Sequence, residues 1–125
     1  MQRLITALLT LTLPASASAA NWVSVANCGD PGEVRAYSYD PGSIRQKGSA
    51  RLVKIRGDYS QLASSRAREA QMLWSFECAS RTFTERSRIE FGKGRKVVEN
   101  FKKPTSAMAV NADSVADKVF AVVCV

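Results

Sequence analysis

From residue 20 onward, apolar and polar positions alternate in short runs broken by turn residues, as β-strands with one buried and one wet face require. Residues 22–25 form a first strand, ended by the glycine, aspartate and proline cluster at 29–32. Residues 33–39 form a second, with Val34 and Ala36 on one side and Tyr37 and Tyr39 on the other. Asp40-Pro41-Gly42-Ser43 is a turn, because proline presets one dihedral and glycine permits the next. Arg45-Gln46-Lys47-Gly48 reads as a basic loop into a third strand at 50–59. There Val53, Ile55 and Tyr59 alternate with Lys54, Arg56 and Asp58. The polar stretch 60–70 reads as a loop, and 71–78 as a fourth strand with Met72, Trp74, Phe76 and Cys78 on one face. In a fifth strand, 82–91, Phe83, Ile89 and Phe91 point one way and Thr82, Thr84, Arg86, Arg88 and Glu90 the other. Gly92-Lys93-Gly94 makes a hairpin turn into a sixth strand at 95–101.

The period changes after Lys102-Lys103-Pro104. Ala112, Ala116, Val119, Phe120 and Val123 recur at helical spacing, with Asp117 and Lys118 off that stripe. Ser114 is the expected N-cap and Asp117, three residues on, completes a weak capping box, which predicts a helix over 115–123 carrying Cys124 at its end. The valine-rich run 119–125 also admits a strand. With the helix, the chain is α+β: an antiparallel sheet of six strands with a C-terminal helix packed on one face.

The first nineteen residues have a different character. Arg3 precedes a run of about ten uncharged, mostly apolar residues ended by Pro14, and Ala17-Ser18-Ala19 fits the small-x-small rule for signal peptidase. The run is far short of the roughly twenty residues a bilayer-spanning helix needs. The reading is a signal peptide at 1–19 and one exported domain at 20–125, periplasmic or at the cell surface, with no membrane span.

Export changes how the remaining chemistry reads. Lysine and arginine number 18 against 11 acids, and only Arg3 lies in the leader, so the exported part stays strongly basic. That charge favours anionic partners. There is no histidine, which removes the usual general base, the commonest metal ligand and every histidine-activated nucleophile. Asp40 with Ser43, or Asp58 with Glu77, could be drawn as acid-base pairs, but nothing in the sequence brings them together, and Asp40 is more simply a turn former. No cofactor is expected and no metal either, since three scattered cysteines have no ligand spacing. Of Cys28, Cys78 and Cys124, an oxidising compartment is expected to join two. A Cys78–Cys124 bridge would tie down the tail, yet Cys28 could equally be a free thiol, an intermolecular link or the partner of either.

Four segments, in order, resemble the surface-adhesin protein E family of bacterial exported proteins. These are Trp22 directly after the leader; Tyr39-Asp40-Pro41-Gly42-Ser43-Ile44-Arg45; Cys78-Ala79-Ser80-Arg81-Thr82; and the tail from Ser114-Val115-Ala116-Asp117 to Val123-Cys124. The resemblance implies a six-stranded antiparallel sheet with a helix against it and a Cys78–Cys124 disulfide. It also implies an exported, non-catalytic binding domain contacting anionic, host-matrix or envelope ligands.

The candidate ligand surface is a basic face. If the fifth strand pairs with the third, Lys54, Arg56, Arg86 and Arg88 share one surface, extended by Lys93, Arg95 and Lys96 at the hairpin. Such an array could hold an acidic protein segment or an anionic polysaccharide through charge-assisted hydrogen bonds, though it equally describes a solvated sheet face. Nucleic acid is not an expected partner: the phenylalanines that could stack bases fall on the apolar face, and an exported protein rarely meets it. The alternative role is a structural periplasmic envelope protein without a ligand, dimeric through a sheet edge or Cys28. A histidine-free enzyme is a more distant third.

Overall fold

The structure, a computed structural model, describes residues 20–31 and 33–125. The expected signal peptide at 1–19 lies outside the described residues. Among the described residues, eight strands run antiparallel: β1 (Val23–Cys28), β2 (Arg35–Tyr39), β3 (Arg45–Lys47), β4 (Ala50–Asp58), β5 (Glu69–Glu77), β6 (Thr82–Phe91), β7 (Val97–Phe101) and β8 (Met108–Ala109). They are followed by the one α-helix among the described residues, α1 (Val115–Val123). The sheet order is β1-β2-β4-β5-β6-β7, with β3 also on β4 and β8 also on β6.

The count of eight corrects the expected six, and its two extra strands have one origin. Each long strand, β4 and β6, is flanked by a partner broken in two. β2 pairs the second half of β4 and β3 the first; β7 pairs the second half of β6 and β8 its start. The segment read as a basic loop is thus β3. Its register, Lys47 opposite Ala50, leaves Gly48-Ser49 as a two-residue hairpin. Gly48 supplies the positive φ of 61° that such a turn needs. The strand expected at 71–78 begins two residues earlier, at Glu69.

Register sorts the side chains into two faces. Val53, Ile55 and Gly57 of β4 lie opposite Trp74, Met72 and Ala70 of β5, and this face carries the helix. Phe76, Ile55, Val53, Val119 and Val123 are the largest fully buried side chains in this layer. Phe76 stacks on Phe83 at 5.6 Å between centroids and meets Phe120 of α1 edge-on at 6.1 Å. Ser114 caps the helix by accepting from the Asp117 amide at 3.1 Å. The capping box is shifted by one residue, because the Asp117 carboxylate accepts from the Asp113 amide rather than from Ser114. Cys124, directly after the helix, is joined to Cys78, directly after β5, with Cα atoms 5.5 Å apart. Cys28 is free and exposed at the end of edge strand β1.

One irregularity changes half of β6. Leu73 faces Ser87 while Trp74 faces Glu85, so Arg86 is an extra residue, a β-bulge. A bulge inverts the parity of everything beyond it. Phe83 lies on the helix face, but Ile89 and Phe91 lie on the opposite face, correcting the expectation that the three point together. For the same reason Arg88 lies on the helix face, opposite Met72.

Candidate functional site

The face away from the helix carries an open cleft of about 780 Å3. Its floor is three strands wide: Lys54 of β4, Gln71 and Leu73 of β5, and Ser87 and Ile89 of β6. Lys54 lies opposite Leu73, Leu73 opposite Ser87, and Gln71 opposite Ile89, so the floor is a continuous patch of register neighbours. One wall is the turn 40–45 with Ile44; another is Asn21 and Trp22, which lead into β1.

The turn is fastened to the sheet. Asp40 accepts from the Gly42 amide at 3.0 Å, and Ser43 Oγ donates to the Asp40 carbonyl at 2.7 Å. The same Ser43 oxygen accepts from the Lys54 amide at 2.8 Å, while the Asp40 amide donates to the Lys54 carbonyl at 3.1 Å. The Asp-Pro-Gly-Ser sequence therefore makes a short 3-10 turn and pins it to β4 beside Lys54. This fixed wall places apolar surface (Trp22, Ile44, Leu73, Ile89) next to an exposed ammonium and the amide and hydroxyl of Gln71 and Ser87. Mixed lining of this kind holds a ligand by apolar contact and orients it with a few polar groups.

The helix face holds a second polar group, beside the helix rather than under it. Glu85 accepts from Trp74 Nε1 at 3.1 Å and from two Arg88 nitrogens at 3.0 and 3.1 Å. Arg88 Nη1 reaches Tyr59 Oη at 3.4 Å, and Tyr59 meets Tyr37 edge-on at 6.2 Å. The Tyr59 ring packs over Gly57, where a Cβ would come within 2.9 Å of it. Burial pulls the Arg88 pKa down, but its bonds to Glu85 and the nearness of Tyr59 outweigh that and hold the guanidinium charged. Burial, then the bond to Tyr59, pushes the Tyr37 phenol well above its ordinary value, so it stays neutral. Each polar atom here serves another side chain of the same cluster, which makes it a strut of the sheet.

The seven basic residues do not share one surface. β5 separates β4 from β6, so the supposed pairing of the third and fifth strands does not form. Lys54 is in the cleft. Arg56 lies on the same face but pairs with Glu69, which also receives Arg95 at 3.0 Å. Arg86 is the exposed bulge residue, and Arg88 belongs to the helix face. Lys93, Arg95 and Lys96 sit at the turn between β6 and β7. Of the two acid-base pairs, Asp40 and Ser43 do meet, but as a backbone-pinning turn. Asp58 and Glu77 stand at opposite ends of the β4–β5 ladder.

Sequence reasoning missed Gln71, Leu73, Ser87 and Ile89. Strand parity on β5 could have found the first two, since both share the face of Lys54. Ile89 was hidden by the bulge.

A family profile, surface-adhesin protein E, matches residues 22–125. No curated protein matches the chain. Among solved structures, a crystal form of Haemophilus influenzae protein E is similar with a TM-score of 0.55 at 14% identity, covering 84% of this chain and 96% of that one. Another structure of Haemophilus influenzae protein E gives 0.55 at 14% identity, over 81% of this chain and 83% of the other. At such identities the likeness is one of fold.

Proposed function

The chain belongs to the surface-adhesin protein E family, and on that premise we propose that it works outside the cytoplasm as a non-catalytic binding domain, holding a matrix or envelope partner on its helix-free face. The observation that carries this reading is the open cleft, whose wall is pinned to β4 and whose floor mixes apolar, hydroxyl, amide and ammonium groups. The helix covers part of one face, and the other is left with a shaped, partly apolar surface. Binding rather than catalysis is supported by how the acids nearest the two faces are used. Asp40 caps a turn, Glu69 is held by two arginines, and Glu85 is held by Arg88 and Trp74. The chain has no histidine, the usual proton carrier near neutral pH. Among the described residues no helix is long and apolar enough to cross a membrane.

The test is a solid-phase panel of matrix proteins and envelope polysaccharides, probed with the exported protein and with Trp22→Ala and Lys54→Glu. Both changes are expected to weaken binding to the recognised component at least tenfold while leaving the unfolding midpoint close to wild type. Undiminished binding by both variants would contradict the cleft as the site. One observation favours the structural alternative: Cys28 is exposed at the end of an edge strand, where it suits covalent pairing of two copies.

A further inference from the structure

Five cations gather at one end of the sheet, away from the cleft. Arg66 and Arg68 lie in the loop between β4 and β5; Lys93, Arg95 and Lys96 lie in the turn between β6 and β7. All five are exposed. One backbone bond ties the loop to the end of β6, and a second closes the turn on itself. The Arg68 amide donates to the Phe91 carbonyl at 2.7 Å, and the Gly92 amide to the Lys96 carbonyl at 2.7 Å. A Cβ on buried Gly92 would stand 3.2 Å from the Arg66 carbonyl, so loop and turn touch there. Adjacent strands lie about 4.8 Å apart, which puts the ends of β5, β6 and β7 within roughly 10 Å of one another.

The charge there is unbalanced. Glu69 is buried and shared by Arg56 and Arg95, so this trio keeps one positive charge. Asp58 is occupied: it accepts from the Ser60 amide at 2.9 Å, and its bonds to Ser60 lower its pKa. Glu90, which lines a depression with Leu62 and Ser65 of the loop, and Glu99 opposite it on β7 offset part of the charge, but neither pairs with any of the five cations. Arg66, Arg68, Lys93 and Lys96 have no carboxylate partner among the described residues. Two guanidiniums are also held in place. Arg95 lies over the Phe91 ring at 4.6 Å, and Arg68 Nη1 donates to the Ser60 carbonyl at 3.2 Å.

We propose that this end of the sheet, built from Arg66, Arg68, Lys93, Arg95 and Lys96, binds a sulfated polysaccharide. Guanidinium forks match sulfate oxygens two at a time, and the flanking lysines add charge without demanding geometry. The other polyanions fit less well. A single-stranded nucleic acid needs aromatic faces to stack its bases, and the aromatic ring here, Phe91, is covered by Arg95. A bilayer surface is gripped by buried apolar side chains as well as charge, and the large apolar side chain exposed at this end is Val97 alone among the described residues. An acidic protein would want an apolar anchor pocket, which these loop tips do not offer. The proposal rests on the reading of the chain as an exported binding domain, but uses a different surface from the cleft.

Heparin serves as the probe, immobilised and titrated with the exported protein at two salt concentrations. Arg66→Glu/Lys93→Glu/Lys96→Glu is expected to lose at least tenfold in affinity. Lys47→Glu/Lys102→Glu/Lys103→Glu, with the same charge change elsewhere, is expected to stay within about threefold of wild type. Equal losses from the two triples would reduce the effect to net charge and overturn the site. Tighter binding to a single-stranded oligonucleotide, or to vesicles containing anionic lipid, at the same salt would overturn the ligand class. Trp22→Ala is expected to leave heparin affinity unchanged. Cleft-dependent binding that survives the Arg66 triple while heparin binding never depended on it would overturn this proposal and spare the other.

Discussion

Removing the disulfide, by Cys78→Ser/Cys124→Ser in a Cys28→Ser background, is expected to lower stability by up to about 4 kcal/mol. The bridge closes a loop of 46 residues, and the chain entropy it removes from the unfolded state corresponds to that figure. Small domains hold only about 5–15 kcal/mol in total, so the loss is a large share. Little else would hold the helix covalently or ionically. Arg81 and Asp117 form an exposed pair at 3.0 Å, worth under about 1 kcal/mol. Arg51 Nη1 donates to the Val123 carbonyl at 2.8 Å at the other end of the helix. Docking would then rest on Ala116, Val119, Phe120 and Val123 packing over Phe76 and its neighbours. Urea titration of the Cys28→Ser protein with and without the bridge is the measurement. Coincident midpoints would mean that the tail is held by packing alone.

Phe76→Ala is expected to cost about 3–5 kcal/mol, the range for truncating a buried aromatic ring. Phe76 is fully buried and touches the three aromatic neighbours that unite sheet and helix: Trp74 at 6.2 Å, Phe83 at 5.6 Å and Phe120 at 6.1 Å. Its loss leaves a cavity at the one point where β5, β6 and α1 meet. Phe101→Ala is the comparison, since that ring is 49% exposed on edge strand β7, and it should change stability by well under 1 kcal/mol. Should Phe76→Ala prove too unstable to purify, Phe76→Leu is expected to lose less but still more than Phe101→Ala. Equal effects at positions 76 and 101 would place the core elsewhere.

These two expectations lean on the parts of the fold that were legible in the sequence. The helix was visible because its apolar stripe has a single period and its cap, Ser114, is a strong local signal. It falls at Val115–Val123, as the spacing predicts. The Trp74–Phe76 alternation announced the core face for the same reason. What was hidden depends on pairing. β3 is Arg-Gln-Lys, three exposed residues whose strand character comes only from hydrogen bonding to β4. β8 is two residues long and has no period to detect. The Arg86 bulge leaves no mark in β6 itself, because the extra residue is defined only against β5. That one residue moved Arg88 off the expected basic face and brought Ile89 into the cleft. Of the basic end, Lys93, Arg95 and Lys96 were legible at the hairpin, whereas Arg66 and Arg68 were overlooked because they stand in an aperiodic loop and join the others only through the fold.

One disulfide locks the helix to one face of the sheet, and the other face is left uncovered by it. Cys28 ends β1 at the same end of the sheet as Asp58 and Glu69, while Cys78 follows Glu77 at the far end. The nine residues of β5 between those ends span roughly 30 Å, beyond any disulfide. Peptide mapping of the exported protein under non-reducing conditions, with free thiols alkylated first, tests this arrangement most directly. The expected result is a Cys78–Cys124 linked pair and an alkylated Cys28. An intramolecular bridge from Cys28 to either other cysteine would contradict the fold and the open face it leaves.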